Sequence, residues 1–275
     1  MSVQSRGEAW FSRLNDWAEQ TTFPIGYLSI LGLLVLWQLG ALLVTSSFGP
    51  PLIPRVEVVA VQLYTMLVTE GTAYSDIFAT LFRVFVGFTA AIVVGIPIGL
   101  WMGSDDRVEF VLDPLISTLY PIPRIAFYPL LLAILGLGHA PKLVIIFIES
   151  LIPILLGSYY GVQSVSKLHI WSGKNFGASR TQIFRDIVLP ASLPYIFSGI
   201  RMAMPIALIV TVVTELVASS QGIGYLIIRA QGSFEYETVF AGVVLISILG
   251  IVFDQILARL RERLLFWAGD VSIDM

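Results

Sequence analysis

Four ionisable side chains, Arg124, Glu149, Arg201 and Glu215, stand inside stretches that are otherwise almost free of charge. A charge at membrane depth is costly, and by default it marks either function or an internal pair. A guanidinium there suits a carboxylate, a sulfonate or a similar anion, which it grips by bidentate hydrogen bonds. Two roles stay open for Arg124: lining a pathway for such an anion, or pairing with Glu149. Glu215, near the outer end of its span, is open between structural pairing and an outer gate. Arg201 lies early in the same span, on the inner side, and reads as snorkelling to the interface. Arg83, near the outer end of another span, reads as structural.

Other chemistries find no support. Cysteine is absent, which removes disulfides, thiolate zinc sites, iron–sulfur clusters and a cysteine nucleophile. The two histidines, His139 and His169, lie thirty residues apart with no second ligand at metal spacing, so neither reads as a metal ligand. A net charge of -3 and a pI near 5.4 argue against a nucleic-acid surface. The phosphate-binding pattern G-x-x-x-x-G-K-[ST] is approached only at Gly173-Lys174, with Asn175 after it and Leu168 in place of the first glycine.

The elements that hold these groups are membrane spans. The chain is 56% hydrophobic and 13% charged with mean hydropathy +0.85, against about a quarter charged in a soluble domain. A span needs about 20 apolar residues, and six windows qualify: 24–44, 77–102, 110–135, 142–160, 193–217 and 238–258. Gly87, Gly95 and Gly99 equip the second for close helix approach. Four prolines at 114, 121, 123 and 129 predict that the third is broken or kinked. No cleaved leader is read, because the first apolar run follows some twenty polar residues and is too long.

Basic residues orient the chain. With the N-terminus inside, Arg6, Arg13, Arg107, Lys167, Lys174, Arg180, Arg185, Arg259, Arg261 and Arg263 are cytoplasmic, against Arg55, Lys142 and Arg229 outside. This predicts both termini inside, with 1–23 and 259–275 as cytoplasmic segments flanking a six-span membrane body at 24–258. Trp10, Trp17, Trp101, Tyr159, Tyr160 and Trp267 suit an interfacial aromatic belt. Residues 55–68 form an amphipathic stretch suited to the membrane surface.

The longest inside loop, about 162–192, carries a pattern. Phe176, Ile183, Phe184, Ile187 and Val188 recur at spacings of one, three and four, predicting a short amphipathic helix that Leu189-Pro190 ends. Gly177 permits a tight turn from the preceding 167–175 segment. Such an elbow could lie on the membrane or insert into a groove on another protein.

From Gly177 to Arg201 the chain resembles the coupling-loop signature of binding-protein-dependent ABC transporter permeases. The likeness is to the branch importing taurine, alkanesulfonates, nitrate and pyrimidine precursors. Thr80-Leu81-Phe82-Arg83-Val84, Gly95-Ile96-Pro97-Ile98-Gly99, Leu112-Asp113-Pro114-Leu115, Tyr120-Pro121-Ile122-Pro123 and the run from Glu215 to Gly224 agree in order. One departure is Trp171-Ser172-Gly173, where the family usually has Glu-Ala-Ala. Another is Arg124, where many members have a proline or a neutral residue.

The resemblance implies an all-α integral membrane protein with six transmembrane helices, of the methionine-importer-like type I permease fold, in a bacterial inner membrane. Gly177, Ala178, Ser179, Ile183, Phe184, Leu189 and Pro190 would form the ATPase-coupling elbow. Arg124, Glu149 and Glu215 would serve the pathway or gate. It implies no cofactor on this chain: ATP and Mg belong to two separate ATPase subunits. A second permease copy, forming a homodimer or a related heterodimer, and an external solute-binding protein would complete the assembly. Rival readings are a self-sufficient channel or ion-coupled carrier, and an integral-membrane enzyme, for which no nucleophile or metal constellation is found.

Overall fold

A computed structural model describes residues 25–44 and 52–267. The expected 1–23 segment, the end of the C-terminal tail, Trp10 and Trp17 lie outside the described residues. Every regular element among those described is helical. The chain forms two compact units that divide between Val61 and Gln62.

In the first unit, α1 (Ile25–Val44) occupies the window of the first expected span, its apolar part at Leu28–Val44 being shorter than a full crossing. Its leucines, from Leu28 to Leu43, are exposed, as a lipid-facing helix requires. The polar groups near its end staple the chain that follows: Trp37 Nε1 donates to the Pro54 carbonyl at 3.1 Å. Gln38 accepts from the Val56 N–H at 3.0 Å and donates to Glu57 at 3.0 Å. That fixes the start of α2 (Val56–Tyr64), which runs into a π turn at Thr65–Thr69.

The second unit is built on three long helices, α3 (Tyr74–Ser104), α6 (Ala140–Gln163) and α9 (Leu189–Val217). α6 packs along both of the others. Val84, Phe88, Ala91, Ile145, Ile146, Ile154, Ile196 and Ile200 form the core. Small residues set the approach: a Cβ on Gly99 would collide with the Leu155 carbonyl, and one on Gly157 would lie 2.8 Å from the Gly199 Cα. Without a hydrophobic force between helices in lipid, this backbone proximity is what packing has to use.

Between α3 and α6 the chain forms α4 (Asp106–Leu119), a 3₁₀ turn at Arg124–Phe127 and α5 (Tyr128–Leu135). The two halves are bent by 78°, as the prolines predict, because Pro121 and Pro123 offer no N–H to continue the ladder. Then follow α7 (Lys167–Asn175), α8 (Arg180–Ile183) with a π turn at Phe184–Val188, and, after α9, α10 (Ile223–Gly232) and α11 (Tyr236–Leu264). Among the described residues, four helices are long and apolar enough to cross a bilayer, and the bent pair makes five if it is one span.

One expectation is overturned. Leu189-Pro190 does not end a helix, since residues 180–217 form one continuous helix. The π turn before Pro190, in which the Leu189 N–H bonds to Phe184 O, widens the helix just where the proline lacks its own donor.

Candidate functional site

Asp76, Thr80 and Arg83 fall on one face of α3 at helical spacing, and all three are buried. They meet the chain where it turns from α9 into α10. Arg83 Nη1 donates to Glu215 Oε1 at 2.6 Å and to the Gln221 carbonyl at 2.8 Å. Thr80 Oγ1 donates to Glu215 Oε2 at 2.9 Å. The opening N–H groups of α10, which have no partner within the helix, find acceptors here: Gly222 on Asp76 at 2.7 Å, Ile223 on Thr80 at 2.9 Å and Gly224 on Glu215 at 3.0 Å. Gly222 has φ +118, and a Cβ there would strike the Glu215 carboxylate. This explains the Gln221-Gly222-Ile223-Gly224 run: only glycine lets a fully buried carboxylate and a backbone turn share this space.

Beside this latch, His139 Nδ1 accepts from Arg83 Nε at 3.3 Å, and its ring packs edge-on against Phe82 at 5.5 Å. Burial and the charges of Arg83 and Lys142 lower the His139 pKa. Lys142 is buried, its Nζ donating to the Gly138 carbonyl at 2.9 Å. Counted above among the outer-side cations, it lies in the first turn of α6, and its Nζ reaches back to the turn before the helix.

Deeper along α6, Arg124 Nη2 donates to Glu149 Oε2 at 2.8 Å, both side chains being largely buried. The proline-broken turn brings the arginine to the middle of α6. Arg124 Nε and Nη1 are buried without a hydrogen-bond partner among the described residues.

Arg201 of α9 grips Asp254 of α11 by two bonds of 2.9 and 3.1 Å, both side chains about half exposed. Its charged head thus has an ion-pair partner. Its partner is some fifty residues away in sequence, which no local pattern could reveal.

At the opposite end of α6 and α9 lies the elbow. Gly177 has φ +80, and Ala178 N–H closes on the Gly173 carbonyl at 3.0 Å. Ser179 and Gln182 form a reciprocal capping box, which satisfies the first donors of α8. Ile183 and Val188 are buried with Val165, and Phe184 packs half-buried against them. Phe176 is 91% exposed, and with Asp186, Pro190 and Trp267 it lines a groove of about 510 Å³.

Residues 95–266 match the family described as the binding-protein-dependent transport system inner membrane component. The chain belongs to this family.

It is 31% identical to the taurine transport system permease protein of Escherichia coli over 93% of each chain. It is 32% identical to the nitrate import permease protein of Synechocystis over 85% of this chain and 86% of that one. The formylaminopyrimidine transport permease protein of Halalkalibacterium halodurans is 29% identical over 87% of this chain and 94% of its own. Among solved structures, an inward-facing methionine ABC transporter superposes with TM-score 0.58 at 17% identity, covering 69% of this chain and 94% of that one. An amino acid ABC transporter superposes at 0.56 with 16% identity, covering 78% and 100%. These two show the type I importer fold.

In this permease, the sequence-selected residues fall into three separate places. Glu215 joins the latch, Arg124 and Glu149 pair with each other, and residues 177–190 make the elbow. Asp76, Lys142 and Asp254 went unselected. Asp76 carried a usable signal, since it precedes Thr80 and Arg83 by four and seven residues.

Proposed function

We propose that this permease subunit spans the membrane six times with both termini in the cytoplasm and forms half of a two-fold pathway as a homodimer. The bent α4–α5 pair and α1 would each count as a span. Two separate ATPase subunits drive it and an external solute-binding protein delivers its solute, a small organic anion of the sulfonate or carboxylate kind. It works by alternating access, with no catalysis of its own.

One observation carries the coupling. A capped elbow with an exposed Phe176 leads through Gly177 into a helix that continues unbroken from 180 to 217. A push on the elbow is therefore delivered along one continuous helical segment, through the π turn at Phe184–Val188, to a membrane-spanning helix. The anionic solute rests on Arg124, whose two unpartnered donors each carry a desolvation cost of about 1–3 kcal/mol that an oxyanion would relieve. The names of the taurine and nitrate relatives support an anionic solute.

The test is reconstitution with the ATPase and binding protein. Uptake should require ATP, and Phe176→Ser or Phe184→Asp should weaken association with the ATPase. Uptake without ATP would favour a self-sufficient channel or carrier, and intact association in both variants would remove the elbow from the mechanism.

A further inference from the structure

At the end of the bundle opposite the elbow, a cavity of about 440 Å³ opens between the start of α6, the Val217–Gln221 segment and α3. Its volume falls in the range of small-molecule sites. Arg83, His139, Lys142, Ser219, Ser220 and Leu137 line it. The carboxylate nearest these cations, Glu215, is wholly engaged by Arg83, Thr80 and Gly224. Lys142 has no carboxylate within salt-bridge reach among the described residues, its Nζ touching only the Gly138 carbonyl. Arg83 spends Nε and Nη1 on His139, Glu215 and Gln221, and its Nη2 makes no hydrogen bond among the described residues. Because His139 Nδ1 accepts from Arg83, the imidazole proton sits on Nε2, which is left as a further donor. The downward shift of the His139 pKa caused in part by Arg83 and Lys142 agrees with a positive local field.

We propose that this cavity is a binding site for a small oxyanion, a sulfonate, carboxylate or nitrate, held by Arg83 Nη2, Lys142 Nζ, His139 Nε2 and the Ser220 hydroxyl. Donors of four kinds converge there while the Glu215 carboxylate is already engaged by Arg83, Thr80 and Gly224, and charge-assisted bonds to an oxyanion are the strong ones. Leu137 gives an organic tail an apolar wall. The site deepens the importer reading, since in the orientation proposed above it faces the side from which solute arrives.

The purified full chain in nanodiscs, without ATPase or binding protein, is titrated calorimetrically with ethanesulfonate, acetate and nitrate, with dimethyl sulfone as the neutral control. At least one anion should bind saturably and the sulfone should not. Lys142→Met and His139→Phe should each weaken binding by about tenfold or more, the worth of one charge-assisted hydrogen bond. Arg229→Gln, at an exposed cation that does not line the cavity, should leave binding unchanged. If Lys142→Met fails to fold, His139→Phe and Ser220→Val carry the comparison. Absence of binding by all three anions, equal binding of the sulfone, or unchanged affinity in the cavity variants would overturn the site. ATP-driven anion uptake by the assembled transporter alongside any of those results would leave the importer reading standing. Anion binding at the cavity with no ATP-driven uptake would do the reverse.

Discussion

Arg83 and Glu215 form a 2.6 Å ion pair in which both side chains are almost completely buried, 4% and 0% exposed. The pair joins α3 to the end of α9, and the same carboxylate also holds the first turn of α10 through Gly224. Removing one member leaves an uncompensated buried charge, which costs about 3–5 kcal/mol. Arg83→Met should therefore lower thermal stability in detergent by that amount. Adding Glu215→Gln should recover part of the loss, because the orphaned charge is gone while an amide still serves Thr80 and Gly224. A double mutant no better than Arg83→Met alone would mean that the two charges are not coupled.

Gly177 adopts φ +80 at the elbow, with open space around its missing Cβ. Strain there is purely of the backbone, about 1–2 kcal/mol for a residue with a side chain. Gly177→Val should lower the unfolding midpoint and weaken co-purification with the ATPase, and Gly177→Asn, which tolerates this conformation, should lose little of either. Equal behaviour of the two variants would sink the conformational explanation.

Gly157 faces Gly199 so closely that any side chain must push α6 from α9. Gly157→Leu should cost at least the 1–3 kcal/mol or so typical of overpacking, seen as loss of monodisperse protein. Gly40→Leu, with nothing within 4 Å of the added carbon, is the matched control and should be neutral.

In the pathway role proposed for it, Arg124 would act on the solute through Nε and Nη1 while Nη2 stays on Glu149. Arg124→Gln should reduce anion uptake by about tenfold or more with little change in protein yield. Arg124→Lys should retain part of it, having charge without the planar fork. Full uptake of every anionic candidate by Arg124→Gln would leave the residue as a structural ion-pair partner only.

His139, held below its ordinary pKa by burial, Arg83 and Lys142, takes up its proton in the folded chain at lower pH than in the unfolded one. Its contribution to stability is full above the unfolded value of about 6.5 and is lost as pH falls through the folded value. Melting temperature should drop on acidification below about pH 6.5, and His139→Gln should flatten that slope. An identical pH profile in the variant would exclude His139 as its source.

Composition, hydropathy and proline placement determined a great deal of this permease alone. The spans, the break at 120–123 and the turn at Gly177 follow from local rules about apolar length, missing N–H groups and positive φ. The elbow was legible for the same reason, its capping box and apolar spacing lying within a dozen residues. Pro190 misled because a proline's missing donor can end a helix or be absorbed by a π turn, and the wider chain decides which. The polar partnerships were beyond local reading. Glu215 meets Arg83 across 132 residues, Arg201 meets Asp254 across 53, and Lys142 becomes a buried cavity wall. A charge placed in a span by sequence states only that it needs a partner, and which partner it finds depends on the crossing of helices brought close by Gly99, Gly157 and Gly199.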